Sequence, residues 1–350
     1  MKNILLLSTG GTIGSTVQAG TIDTNNSAQL KLLQLFAQQD QHPDIQFHCR
    51  QPVQILSENL APCVWQTLIA AIEAEQLSNY DGIIVTHGTD TLAFTACALS
   101  FYFHALNIPM LLVSSNYPLD DSRANGLTNF QGAVEFIRQK TIAGVFVPYR
   151  NAGLGQVIEI HQGTQLTCSP QLSSDFFSIQ NNPVMVLDDK QFHTFGYYED
   201  GEFIEYPAFT RAGQPPVLLQ AHFESRITLI RPYPNLDYRS INLQHTDAVL
   251  HDLYHSGTAC TTTQWGEQHS LIAFIQRCKA ENIPVYLAPA LYSENAYQST
   301  RELIDSGAMV LWNLSIEAAY TKLLLAYGNF NNEHDIMNFM NTTLANEHIC

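Results

Sequence analysis

Short apolar runs alternate with amphipathic segments along the first 150 residues. The apolar runs are of strand length and lie at residues 4–7, 45–48, 53–56, 83–86, 110–113 and 144–147. Helical spacing of apolar positions occurs between them, at residues 28–38, 62–77, 92–106 and 127–139. Strand and helix alternating in short units is typical of a parallel sheet covered by helices. The pattern predicts an α/β fold whose larger, N-terminal domain is a doubly wound parallel sheet.

The alternation stops near residue 149 and resumes near residue 227. Glycine and proline punctuate residues 149–200, which predicts irregular structure there, and four more between 207 and 216 indicate a linker. Strand patterns then recur at residues 227–230, 248–250 and 284–287, and helical patterns at 270–280, 298–305, 316–325 and 335–344. We therefore predict an N-terminal domain over residues 1–205, a linker over 206–224 and a smaller C-terminal α/β domain over 225–350. A chain of 350 residues is long enough for two cores.

Composition and charge argue against several classes of protein. A net charge of −16 disfavours a nucleic-acid partner, which needs a basic face. Seven scattered cysteines without a CxxC pair indicate a reducing compartment and disfavour structural zinc. No apolar run approaches the roughly 20 residues that span a membrane. We expect a cytoplasmic protein with no membrane partner, no metal and no cofactor.

Histidines 251 and 255 are spaced as in an HDxxH sequence. A zinc site of that type requires both histidines on one helical face. The segment follows a predicted strand and leads into Ser256-Gly257, so we expect a loop that binds no metal.

Two stretches rich in glycine and threonine follow predicted strands, residues 9–13 (TGGTI) and 86–91 (THGTDT). Open α/β sheets bind ligands at the carboxyl ends of their strands, where such turns lie side by side. A threonine hydroxyl there is a nucleophile only when a base takes its proton, and Asp90 is an acceptor for a ligand amine. Ordinary capping at strand-to-helix turns is the alternative. The hypothesis of a nucleotide-binding, flavodoxin-like module has less support, because GxxxxGK[ST] is absent and GxGxxG is absent at the first strand.

Residues 9–14 and 82–92 resemble the two signature motifs of the bacterial-type L-asparaginase family, TGGTI and G-x-I-x-x-HGTDT-L. The similarity extends to residues 57–59 and 117–129, is clear over about residues 1–140, and is nearest in form to the cytoplasmic type I enzymes. The resemblance implies two α/β domains and a homodimer or homotetramer with sites near subunit interfaces. It also implies hydrolysis of an amino-acid side-chain amide, through an acyl-enzyme, to a carboxylate and ammonia.

The resemblance assigns the catalytic residues. Thr12 matches the primary nucleophile, and Thr89 matches the second catalytic threonine, which positions or activates the attacking water. Asp90 matches the acid that holds the substrate amino group and belongs to a Thr-Asp-Lys relay.

The resemblance also assigns the substrate-binding residues. Ser57 and Glu58 match the pair that holds the substrate's α-carboxylate and amino group. Gly11 and Gly88 belong to the turns whose neighbouring backbone N–H groups, with that of Thr89, are expected to form the oxyanion site.

Two positions depart from the family pattern. No tyrosine lies between Thr12 and Tyr80, and Thr21 stands where the family has a loop tyrosine. The family lysine that pairs with the aspartate aligns with Cys168, or with His161 when Thr164 is the anchor.

The missing lysine has a physical consequence. A lysine beside Asp90 favours the ionised carboxylate, whereas a neutral thiol does not. Two hypotheses follow: an L-asparaginase that converts L-asparagine to L-aspartate and ammonia, and a catalytically weakened relative that binds an amino acid as a sensor or structural partner.

Overall fold

The structure is a computed structural model of the chain that describes most of its residues. The described residues are 1–11, 13, 15–18, 21–24, 27–39, 42–139, 142–194, 196–199, 202–205, 217–224, 226–295 and 297–349. The chain divides into two compact units. The first comprises Met1–Ala221 and Leu344–Asn346, and the second comprises His222–Thr343 and Glu347–Cys350. Most of the predicted linker, residues 206–216, lies outside the described residues.

The first unit contains twelve strands among its described residues. They are β1 (Lys2–Ser8), β2 (Ser15–Gln18), β3 (Thr21–Thr24), β4 (Ile45–Arg50), β5 (Gly82–Thr86), β6 (Pro109–Val113), β7 (Gly144–Tyr149), β8 (Ile158–Gln162), β9 (Met185–Asp188), β10 (Gln191–Thr194), β11 (Gly196–Glu199) and β12 (Glu202–Glu205). Eight form one sheet in the order β10-β9-β8-β7-β6-β5-β1-β4. Its pairs from β4 to β7 are parallel, and those from β7 to β10 are antiparallel. The strands β2 with β3, and β11 with β12, form separate hairpins.

Four helices of the first unit lie between these strands in the chain. They are α1 (Ser27–Gln39), α2 (Pro62–Glu73), α3 (Leu92–Tyr102) and α4 (Gly126–Gln139). Pro62 is the first residue of α2, where its missing N–H is not needed. Helix α3 is buried along nearly its whole length, in agreement with its apolar sequence. Helices α1 and α4 share one hydrophobic core with the central strands.

Three expectations for this unit are wrong in detail. Residues 53–56 do not form a strand, because only Ile55 bridges to Gly10. Two helices are shorter than predicted: the one that begins at Pro62 ends at Glu73 rather than near residue 77, and the one that begins at Leu92 ends at Tyr102 rather than near residue 106. The region from 149 to 200 is only partly irregular, because β8, β9 and β10 extend the sheet there, whereas residues 163–184 contain no strand. Gly153 and Gly155 have φ values of +84° and +64°, so these glycines mark the turn between β7 and β8.

The second unit is a four-stranded parallel sheet with helices. Its strands, in sheet order, are β13 (Ile227–Ile230), β14 (Ala248–Asp252), β15 (Val285–Ala290) and β16 (Met309–Trp312). Its helices are α5 (Leu271–Ala280), α6 (Gln298–Asp305), α7 (Ile316–Asn329) and α8 (Glu333–Asn341). The sequence patterns missed β16, a run of only four residues. The strand at 227–230 and the helix at 298–305 have the predicted bounds, and the other predicted elements are present with shifted ends. In the part of the chain that the structure describes, no helix is both long and apolar enough to cross a membrane.

A buried ion pair joins α7 to the last residues of the second unit. Lys322 Nζ lies 2.6 Å from Glu347 Oε1, and both side chains are inaccessible to solvent. The same ammonium group donates to the carbonyl oxygens of Met340 and Thr342 at 3.0 and 2.6 Å. All three donors of the lysine are therefore used.

Candidate active site

The two glycine-threonine turns meet in backbone contact. They follow β1 and β5, which are neighbours with Ser8 beside Thr86. Gly11 has a φ of +76°, and a Cβ placed on it would lie 2.4 Å from the backbone nitrogen of Gly88. Only glycine permits that approach. The predicted meeting of these stretches at the carboxyl edge of the sheet is confirmed.

A third segment, residues 55–59, packs against both turns. Ile55 N–H donates to Thr9 O at 2.9 Å, and Gly11 N–H donates to Ile55 O at 3.1 Å. The Gly11 N–H is therefore used within the protein, and a ligand-facing donor has to come from another residue. This pairing carries the chain to Ser57, whose Oγ lies 2.5 Å from the position of a Cβ on Gly88.

Ser57 and Asp90 are brought together by this arrangement. Ser57 Oγ donates to Asp90 Oδ2 at 2.8 Å and accepts from the Asp90 N–H at 3.2 Å. Thr91 Oγ1 donates to the Ser57 carbonyl at 2.9 Å. Ser57 is 4% exposed, whereas Asp90 is exposed. A buried hydroxyl thus orients a carboxylate that faces solvent, as a site for a charged ligand requires.

The remaining predicted site residues are placed less completely. Thr12 lies outside the described residues. Thr89 is half-buried, and its carbonyl accepts from the Leu92 N–H at the start of α3. Glu58 is exposed in a short 3-10 turn, Ser57–Asn59. Four predicted residues (Gly11, Ser57, Gly88 and Asp90) therefore lie together, and the role of each stays a prediction.

The described residues do not identify which residue stands in the place of the family lysine. Among the described residues, no lysine or arginine is ion-paired with Asp90. Cys168 is half-buried in the segment after β8. His161 lies within β8 with its Nδ1 2.9 Å from Ser178 Oγ, and burial lowers its pKa to about 3, so at neutral pH it carries no positive charge to replace that of the lysine. Thr21 lies in β3, and its side chain is outside the described part.

His87 is a residue that the motif contains and that the sequence reasoning passed over. It follows β5 directly, is buried, and its ring contacts both Gly88 O and Thr95 Oγ1. Burial lowers the pKa of His87, against the opposing influence of its hydrogen bond to Gly88 and of the Asp90 charge. The imidazole is therefore neutral at neutral pH. The sequence could have indicated His87, because it is a titratable residue between a predicted buried strand and Gly88 of the motif.

Acidification is expected to destabilise the first unit through His161. Burial lowers the pKa of His161 to about 3, below the value of 6.5 for the free side chain. The unfolded chain therefore binds a proton as the pH falls below 6.5, and the folded chain does not until about pH 3. Its share of stability is complete above pH 6.5 and declines by up to about 1.4 kcal/mol per pH unit below it. Urea unfolding at pH 7, 6 and 5 measures the slope, and His161→Gln should flatten it. An unchanged slope in that variant would contradict the assignment.

His251 is also buried, and its position corrects the expected loop. It lies in β14, with Nε2 2.8 Å from Tyr238 Oη and Nδ1 2.5 Å from Asp252 O. The strand continues through Asp252, so only the second half of the HDxxH sequence lies in the expected loop. In the described residues, no three side chains of metal-binding type are grouped to hold an ion.

Comparison with known proteins agrees with this architecture. A sequence model of the family described as "Asparaginase, N-terminal" matches residues 3–196, more than half of the chain. Among solved structures, the thermostable L-asparaginase from Thermococcus kodakarensis has a TM-score of 0.77 at 24% identity, covering 99% of both chains. L-asparaginase I from Vibrio cholerae has a TM-score of 0.75 at 23% identity, covering 100% of this chain and 99% of that one. The predicted fold class is confirmed.

The fold and the paired turns define an α/β protein of amidohydrolase type. The chain belongs to the asparaginase family. Its curated relatives include a component of the glutamyl-tRNA(Gln) amidotransferase of Methanosphaera stadtmanae, 27% identical over 99% of this chain and 76% of that protein. The corresponding component of the Methanosarcina mazei amidotransferase is 26% identical over 99% of this chain and 79% of that protein.

Proposed function

We propose that this protein hydrolyses the side-chain amide of L-asparagine to L-aspartate and ammonia. The observation that carries the proposal is the contact of Ser57 with Asp90 beside the close approach of Gly11 and Gly88. An exposed carboxylate oriented by a buried hydroxyl suits the ammonium group of an amino acid. Two glycine turns at the carboxyl ends of parallel strands suit a small ligand beside them.

The proposed roles follow from the geometry and the family resemblance. Ser57 holds Oδ2 of Asp90, so Oδ1 is the oxygen to which a ligand ammonium is expected to donate. Glu58, exposed on the adjacent turn, is the proposed second carboxylate for that group. Thr12 is the proposed nucleophile, and Thr89 the residue that positions water for the second step.

Glutamine, or a glutaminyl group, is the second candidate substrate. The curated relatives that match nearly the whole of this chain are named as components of a glutamyl-tRNA(Gln) amidotransferase. A net charge of −16 disfavours direct contact with nucleic-acid phosphates, so we keep the proposal that the substrate is a small amide. A homodimer or homotetramer, and a cytoplasmic location, also stay predictions.

The catalytically weakened relative remains the alternative from another class of function. It is favoured by one observation, that Asp90 has no cationic partner among the described residues. Such a protein would bind aspartate or asparagine and release little ammonia.

Ammonia release and aspartate binding, measured on the same sample, separate these possibilities. The wild type is expected to release ammonia from asparagine faster than from glutamine. Asp90→Ala should abolish release and raise the aspartate Kd at least about tenfold, because it removes the acceptor for the ammonium group. Glu73→Gln is the control, since this carboxylate lies at the end of α2 and bonds only to Tyr102 Oη among the described residues.

Three outcomes decide between the candidate functions. Faster ammonia release from glutamine than from asparagine would make glutamine the preferred substrate. Aspartate binding without ammonia release would favour the weakened relative. An aspartate Kd that is the same in wild type and Asp90→Ala would remove Asp90 from the site.

A further inference from the structure

We propose that His87, together with Thr95 and Trp65, is a positioning group that turns the Thr89 N–H toward the candidate site. The proposal concerns the peptide between Gly88 and Thr89, in the second glycine-threonine turn. The effect on catalysis rests on the proposed function, whereas the orientation of this peptide does not.

A chain of buried hydrogen bonds links these residues. Trp65 Nε1 donates to Thr95 Oγ1 at 3.0 Å. Thr95 Oγ1 lies 2.9 Å from His87 Nε2, and His87 Nδ1 lies 2.8 Å from Gly88 O. Trp65 is 3% exposed, Thr95 0% and His87 2%, so water does not compete for these groups.

The direction of every bond in the chain is fixed by chemistry. A carbonyl oxygen only accepts, so His87 Nδ1 carries the ring proton. A neutral imidazole then has an unprotonated Nε2, which must accept from the Thr95 hydroxyl. That hydroxyl has lone pairs free for the indole N–H of Trp65, which can only donate. No member of the chain can be reversed without leaving a buried group unpaired.

Three separate elements hold this chain in place. Trp65 belongs to α2 and Thr95 to α3. The backbone N–H of His87 donates to Val113 O in β6 at 2.9 Å, which fixes the start of the turn. His87 is therefore held by hydrogen bonds at both ring nitrogens and at its backbone N–H.

The consequence falls on the Gly88–Thr89 peptide. In a trans peptide the C=O and N–H point in opposite directions. Because the Gly88 carbonyl accepts from the buried imidazole, the Thr89 N–H points away from that ring. Thr89 is half-buried and the next residue, Asp90, is exposed. Within the described ranges, no backbone acceptor is paired with that N–H. It is available to stabilise the negative charge that develops on an amide oxygen during hydrolysis.

Substitutions along the chain test the proposal by kinetics. Thr95→Val keeps the shape and removes the hydroxyl, and it is expected to lower kcat at least about tenfold, part of the roughly 10²- to 10³-fold effect of one oxyanion donor. KM and the aspartate Kd should change less than about threefold, because the donor acts on the transition state. Thr95→Ser should restore kcat. His87→Asn, which keeps a donor near the Nδ1 position, should retain more activity than His87→Gln.

Tyr238→Phe is the matched control. It removes the hydroxyl partner of another buried histidine, His251, in the second unit. Tyr238→Phe is expected to lose about as much stability as Thr95→Val and to leave kcat unchanged. Equal kcat in wild type and Thr95→Val, or equal loss in Thr95→Val and Tyr238→Phe, would overturn the proposal.

A measurement that needs no activity separates this inference from the proposed function. Nitrogen-15 spectra of the histidine-labelled protein report which ring nitrogen is protonated, and the proposal requires Nδ1 for His87. A crystal structure of Thr95→Val should show the Gly88–Thr89 peptide rotated. Protonation at Nε2, or an unmoved peptide, refutes the positioning role even if amide hydrolysis is confirmed. Correct protonation and a rotated peptide support it even if the wild type hydrolyses no amide.

Discussion

Gly11→Ala is expected to abolish amide hydrolysis, with a loss of more than about 100-fold, and to destabilise the first unit. The added Cβ would lie 2.4 Å from Gly88 N and 2.5 Å from Gly88 Cα. Both are backbone atoms, so the clash is relieved only by moving one turn away from the other. Overpacking of this kind costs about 1–3 kcal/mol, and a φ of +76° adds about 1–2 kcal/mol for alanine.

Gly153→Ala separates the two parts of that cost. Gly153 has a φ of +84°, and a Cβ there would have no atom within 4 Å. It therefore carries the backbone penalty without the clash. Urea unfolding and ammonia release should show a small loss of stability and full activity for Gly153→Ala. If Gly11→Ala behaves no worse than this control, the two turns do not have to touch for catalysis.

Glu347→Ala is expected to destabilise the second unit strongly. It leaves the ammonium group of Lys322 buried without its counter-charge. Burial lowers the pKa of Lys322, and Glu347 opposes that shift. Removing one partner of such a pair typically costs about 3–5 kcal/mol, whereas replacing both by apolar residues is often neutral.

The measurement is urea unfolding followed in the second unit. Lys322→Met combined with Glu347→Leu should recover most of the loss, which distinguishes an unpaired charge from a cavity. Asp247→Asn is the surface control, because its partner Arg226 is 53% exposed at the side chain and such pairs contribute about 0–1 kcal/mol. A loss for Glu347→Ala no larger than that of the control would show that Lys322 finds other compensation.

The sequence predicted where the candidate site lies, but not how it is built. Two strands that each end in a glycine-threonine turn were sufficient to place both turns at one edge of a parallel sheet. The contact of Gly11 with Gly88 depends on the register of Ser8 with Thr86, which local patterns do not encode. Ser57 reaches Asp90 only because Ile55 pairs with the first turn. Such long-range pairing is decided by the whole sheet.

The largest error came from a glycine-rich region. Residues 149–200 have the composition of irregular structure, and they contain three strands of the main sheet. Glycines at 153 and 155 shape a turn, whereas Ile158 and Ile160 beyond it are buried in the core. Frequent glycine and proline predicted irregular structure over the whole region, but only part of it is irregular, because tight turns between short strands have the same composition.

Residues 344–346 make the first unit discontinuous along the chain. Leu344–Asn346 belong to the first unit, although the residues before and after them belong to the second. Thr164 Oγ1 and Gln162 Nε2 both donate to Ala345 O, at 2.8 and 3.1 Å, and both side chains are buried. A fragment that ended at Ala221 would lack this acceptor, and each donor would exchange its hydrogen bond for one to water, at a net cost of about 0.5–1.5 kcal/mol. The first unit therefore needs residues 344–346 as well as residues 1–221 to be complete.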